Sequence, residues 1–193
     1  MIEAPIKELQ SVRFRNQGYT AKKLLLPNEE YAFLNFLIRA LGENVFLIST
    51  RLGLDIYYLS TNSQTSFISK NLWLFQTDND TKKRTSSTEE RSGTAVLDFF
   101  DNAVESLSGH PQLFLSCCKK LIARFNELGV KTPLNQMLYT CFDNQLNRLI
   151  IEDRVPFSTI IERLRNEREQ PFLKTNDAMH RLLKAFESRD SIN

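Results

Sequence analysis

QLFLSCCKKLIARFNELGVKTPLNQMLYTCFDNQLNRLII, residues 112–151, carries the clearest apolar pattern in the chain. Phe114, Cys117, Cys118, Leu121, Phe125 and Leu128 recur at helical spacing, against polar Ser116, Lys119, Lys120 and Glu127. Gly129 stops this first helix. Thr132 caps a second, and Pro133 takes its first position, where a missing N–H costs nothing. In the second helix Leu134, Leu138, Cys141, Phe142, Leu146 and Leu149 face inward, while Gln136, Thr140, Asn144 and Asn147 face out. The stretch therefore predicts two amphipathic helices joined by a tight turn.

The pattern continues on both sides. Upstream, Val96, Leu97, Phe99, Phe100, Ala103, Val104 and Leu107 predict a helix over 95–107, ended by Gly109 and Pro111. Downstream, a fourth helix follows Pro156, with Thr159 and Glu162 at capping-box spacing. Asn176 caps a fifth, with Met179, Leu182, Leu183 and Phe186 on one face. The C-terminal half thus reads as about five helices.

The N-terminal half is built differently. Residues 11–15 alternate as a short strand whose Arg13 and Arg15 face solvent, and Gly18 could start a turn. A helix starts with Asn28 as N-cap, carries Glu29 and Glu30 in its first turn, and stops at Gly42. Residues 45–50, 54–61 and 66–76 are rich in β-formers and predict a three-stranded antiparallel meander. Residues 77–94 hold no large apolar side chain and read as a mobile polar loop. The fold class is α+β: an N-terminal helix and small antiparallel meander over 1–76, the loop at 77–94, and a helical half over 95–193, together one compact domain.

Composition narrows the function classes. The chain has 193 residues, long enough for one substantial core. Its 14 Phe and 5 Tyr argue against disorder. A net charge of +2 gives no strong electrostatic case for nucleic acid or an anionic membrane. No run approaches the length of a membrane helix, and the first residues lack the pattern of a secretory signal. Three cysteines without a Cys-x-x-Cys argue against a disulfide framework, so a cytoplasmic location is expected.

Motifs for chemistry are scarce. There is no glycine-rich phosphate loop, so no nucleotide cofactor is expected. His110 and His180 stand far apart, and no metal site is expected. Lys119 and Lys120 could lower a thiol pKa at Cys117 or Cys118, but all three cysteines lie on or beside inward stripes and read as packing. Asp98, Asp101 and Glu105 share a helix face, and Asp143, Glu152 and Asp153 lie near one helix end. Both sets read as solvated faces.

Residues 125–135 resemble a turn in the C-terminal helical domain of ketopantoate reductases. That family's nucleotide fold would need a glycine-rich loop, which this chain lacks, so the resemblance assigns no functional residue. The same turn has the outline of a helix-turn-helix, although Phe125 and Asn135 sit where that motif wants small and apolar residues.

The leading expectation is a non-enzymatic, protein-binding adaptor or regulatory protein. Its candidate partner surface is Arg163, Arg165, Arg168, Met179 and Leu183 on the charged last helices. The alternative is a nucleic-acid-binding regulator using the 112–151 pair, with Lys131, Gln136 and Arg148 as contacts. The third is an enzyme of unrecognised type, with no assigned catalytic residue.

Overall fold

The structure is a computed structural model, and it describes residues 6–16, 23–50, 53–76, 85–128 and 132–166. The elements in order are β1 (Leu9–Asn16), α1 (Pro27–Leu41), β2 (Val45–Thr50), β3 (Gly53–Leu59), α2 (Thr65–Phe75), β4 (Thr85–Ser92), α3 (Thr94–Ser108), α4 (Pro111–Leu128) and α5 (Pro133–Ile151). A short helix, α6, spans 158–166. The fold class is α+β.

The four strands form one antiparallel sheet in the order β2-β3-β1-β4. β1 and β2 run parallel with β3 between them, and β3 and β4 run parallel with β1 between them. With α1 and α2 as the crossovers, these are two interleaved split β-α-β units. Alternation along the strands sends side chains to two faces. Val12, Phe14, Leu47, Leu54, Ile56 and Tyr58 meet α1 and α2 through Phe33, Leu37, Ile68 and Leu72. Leu9, Phe46, Ile48 and Tyr57 meet α3, α4 and α5 through Phe100, Phe114, Phe125 and Phe142. Both faces of the sheet are therefore covered, and the C-terminal helices lie on the face opposite α1 and α2.

Most elements lie where the pattern placed them, with four differences. Residues 66–76, expected as a third meander strand, belong to helix α2. Aromatic and β-branched content suggested a strand, but the helical period decides. Ile68 and Leu72 are buried on the sheet, Phe67 stacks on Phe36, and Phe75 lies 5.0 Å from Phe33 and 5.3 Å from Phe36 between ring centroids. Residues 85–92, expected within a polar loop, form β4. An edge strand needs no apolar stripe when its neighbour supplies the ladder, and β1 pairs with it from Gln10 to Asn16.

The N-cap of α1 is Leu26 rather than Asn28: Pro27 takes the first turn, and the Glu29 carboxylate accepts from the Leu26 N–H at 2.7 Å. Arg13, expected in solvent, is half-buried and paired with Asp55. Gly18, Gly129 and the helix expected from Asn176 lie outside the described residues.

Two punctuation signals act as read. The Thr132 hydroxyl accepts from the Asn135 N–H at 3.2 Å, with Pro133 opening α5. Gly42, at φ +93°, ends α1 and donates to the Ile38 carbonyl at 2.9 Å. Gly53 has a different role. At φ +149° it lets β3 approach β1 so closely that a Cβ there would lie 2.3 Å from the Phe14 carbonyl oxygen.

Candidate functional site

The sheet has two edges, and the chain treats them differently. On β2, the Leu59 N–H donates to the Asn44 carbonyl. The antiparallel alternation then turns the main-chain groups of Val45, Leu47 and Ser49 outward. Ser49 is capped from two elements. Its N–H donates to Glu30 Oε1 of α1 at 3.3 Å, and its carbonyl accepts from Lys120 Nζ of α4. Glu30 also takes Lys120 at 2.7 Å and Arg124 at 2.6 Å, and Arg124 reaches Glu127 at 2.8 Å. Burial pulls the Lys120 pKa down and Glu30 pushes it back, with burial prevailing. The network clamps α1 to α4 across the end of β2.

The opposite edge is open among the described residues. The Gly93 N–H donates to the Leu9 carbonyl at 2.7 Å, which fixes the phase of β4. Residues 87, 89 and 91 turn their main-chain groups to β1, and Thr88, Glu90 and Ser92 turn theirs outward. No described residue pairs with those outward groups. Glu90 is exposed, and no cation among the described residues pairs with it. Its neighbours are fixed instead: Glu89 meets Arg15 at 3.0 Å and Arg91 at 3.2 Å. The Arg13 and Arg91 guanidiniums lie 4.1 and 3.7 Å from the Phe99 ring centroid. Burial pushes the Glu89 carboxyl up, but Arg91 and Arg15 outweigh it and hold the pKa low.

A cleft of about 470 Å³ runs between the sheet and helices α3 and α4. At its sheet side Arg13 holds Asp55 through two hydrogen bonds, one of them Nη2 to Oδ2 at 2.8 Å. Tyr57 is buried beside this pair, and burial raises its phenol pKa well above the usual value. A second cavity of about 620 Å³ adjoins it and is lined by Lys23, Lys119 and Lys120.

The residues singled out from the pattern are dispersed. Gln136 is exposed on α5. Arg148 is exposed but ion-paired with Glu105, which also takes Arg154 at 3.0 Å. Asn135 and Gln145 are buried in the α5 core face rather than displayed. Arg163 is exposed on α6. Arg165 reaches Asp143 at 2.5 Å and Asn147 at 2.9 Å, tying α6 to α5, while Ile161 is buried beneath. Lys131, Arg168, Met179 and Leu183 lie outside the described residues. The acids on α3 are partly spoken for: Asp101 accepts from Cys141 Sγ at 3.0 Å, and Glu105 meets the two arginines.

All three cysteines are free thiols. Burial pushes the Cys118 pKa up to about 12. It raises Cys141 further, with Asp101 adding to the effect. Cys117 is also raised, first by burial and then by Asp55, against the opposing pull of Lys120 and Arg13. Since the thiolate is the nucleophile, the native protein should react with a disulfide reagent at pH 7 far more slowly than the urea-unfolded chain. Stopped-flow labelling checks this; a fast single-site reaction in the native state contradicts it.

The sequence reading missed Glu30, Lys120, Arg124, Asp55 and the outward residues of β4. The contacts that define them span 42 to 94 positions of sequence or belong to a strand without apolar residues. Among the described residues no group of three or more His, Cys, Asp or Glu could hold a metal ion, and no helix is long and apolar enough to cross a membrane. The chain matches no family model, no curated protein and no solved structure.

Proposed function

We propose that this is a non-enzymatic adaptor or regulatory protein of the cytoplasm that binds another protein by adding a strand to β4. The observation that carries the reading is the contrast between the two edges. A bare edge is a template for pairing, and folds commonly blunt it. Here Ser49 is capped by Glu30 and Lys120 and the other outward residues of β2, Val45 and Leu47, are buried, while Thr88, Glu90 and Ser92 are exposed and their outward groups have no described partner. Main-chain hydrogen bonds to those three residues supply affinity, and side-chain contacts supply selectivity. The exposed Glu90 carboxylate favours an extended segment with Lys or Arg opposite it and discourages plain apolar strands. The nucleic-acid alternative has less support, because the Arg148 charge is taken up by Glu105.

Glu90→Pro tests the reading. Proline removes an outward N–H without touching the ladder to β1, so the fold should persist. Partners co-purifying with the wild-type chain and crosslinking to β4 should be lost in the variant, with melting temperature little changed. Retention of the same partners by a folded Glu90→Pro chain overturns the assignment of the edge.

A further inference from the structure

The two cavities beside the sheet meet. Thr50, Leu113 and Cys117 line both, so the apolar cleft opens directly into the lysine-lined one. The walls of the first are largely hydrocarbon, with Val104, Leu107 and Leu121 among them. The one carboxylate lining it among the described residues, Asp55, is engaged by Arg13. Among the described residues, no carboxylate lines the second cavity. Lys120 is paired with Glu30, whereas Lys23 and Lys119 have no ion-pair partner among the described residues. Lys23 stands close enough to Lys120 to disfavour its charge. Glu30 balances Lys120, and the charges of Lys23 and Lys119 beyond it repel one another until an anion joins them. Each cavity falls in the ~300–1,000 Å³ range of small-molecule sites.

We infer that this continuous cleft binds an amphiphilic anion, its apolar body between the sheet and helices α3 and α4 and its phosphate or carboxylate head among Lys23, Lys119 and Lys120. Lysine ammoniums serve as point charges for either head. The exposed Lys119 and half-buried Lys23 can close on it, with the Thr50 hydroxyl at the junction and that of Ser116 in the second cavity. The site lies on the helical side of the sheet and does not use the outward groups of β4.

The test is calorimetric titration of the full chain with decyl phosphate, decanoate, decanol and inorganic phosphate, each at monomeric concentration. Decyl phosphate or decanoate should bind at least about tenfold more tightly than decanol and inorganic phosphate, a difference of roughly 1.4 kcal/mol. The tighter of the two anions identifies the head. The Lys23→Glu/Lys119→Glu double variant should weaken the anions at least about tenfold and leave decanol unchanged. Ala103→Phe, which fills the cleft from α3, should weaken every ligand that carries a chain. Decanol binding as tightly as the anions, inorganic phosphate matching decyl phosphate, unchanged anion affinity in the double variant, or no binding at all would each overturn the inference.

Discussion

Replacing Glu30 with alanine should destabilise the protein by about 3–5 kcal/mol, the cost of stripping a buried ion cluster of its shared partner. Glu30 is 3% exposed and Arg124 9% exposed, so both charges are held largely out of water. The Glu30 carboxylate accepts from Arg124, Lys120 and the Ser49 amide at once. Without it, among the described residues Arg124 keeps the surface carboxylate of Glu127 and Lys120 keeps the Ser49 carbonyl. Glu30→Gln retains the shape and one acceptor but removes the charge, and most of the loss should remain. Urea unfolding measures both, with a lowered midpoint and an unchanged m value. A loss below about 1 kcal/mol, as for an exposed pair, would show that the cluster is effectively solvated.

Phe125→Ala should cost a similar amount, about 3–5 kcal/mol. Phe125 is fully buried, with ring centroids 4.9 Å from Phe46, 5.5 Å from Tyr139 and 6.1 Å from Phe142. It joins the sheet, α4 and α5, so its removal opens a cavity where three elements meet and none can collapse alone. Phe125→Leu keeps most of the volume and should cost less than about 1.5 kcal/mol. Thermal unfolding compares the pair. Equal, small losses would mean that the helical layer is held to the sheet by other contacts.

The described helices, α3 to α6 in the C-terminal half and α1 before them, were legible because their signals are local. Thr132, Pro133 and Gly42 act within one turn of where they stand, and the Phe114–Phe125 stripe needs only the helical period. β2 was legible to its ends because its residues are buried on both faces and read as a continuous apolar run. The failures share a cause. In residues 66–76 the aromatic and β-branched content masked the helical period, which places Phe67 on Phe36 and Phe75 on Phe33. Residues 85–92 have no apolar residue to reveal them, and β1 makes them a strand.

The site was less legible than the fold. Glu30 and Arg124 are ordinary helix-surface residues by local spacing, and only the β2 edge makes them partners. Arg13 alternates like a solvent-facing residue, yet Asp55 lies directly across the β1–β3 ladder from it. Arg148 read as a nucleic-acid contact and Arg165 as part of a partner surface because Glu105 and Asp143, which hold them, are distant in sequence and near in space. The openness of β4 depends on strand order, which no periodicity encodes.

Amide hydrogen exchange on the free chain tests the contrast between the edges most directly. Exchange reports local opening and solvent access residue by residue. The Ser49 amide, held by Glu30, should be protected, as should those of Glu89 and Arg91, which face β1. The amides of Thr88, Glu90 and Ser92 should exchange rapidly and gain protection only when a partner strand is bound. Slow exchange at those three positions in the free protein, matching Ser49, would contradict the account, because the edge proposed to receive a partner would already be paired.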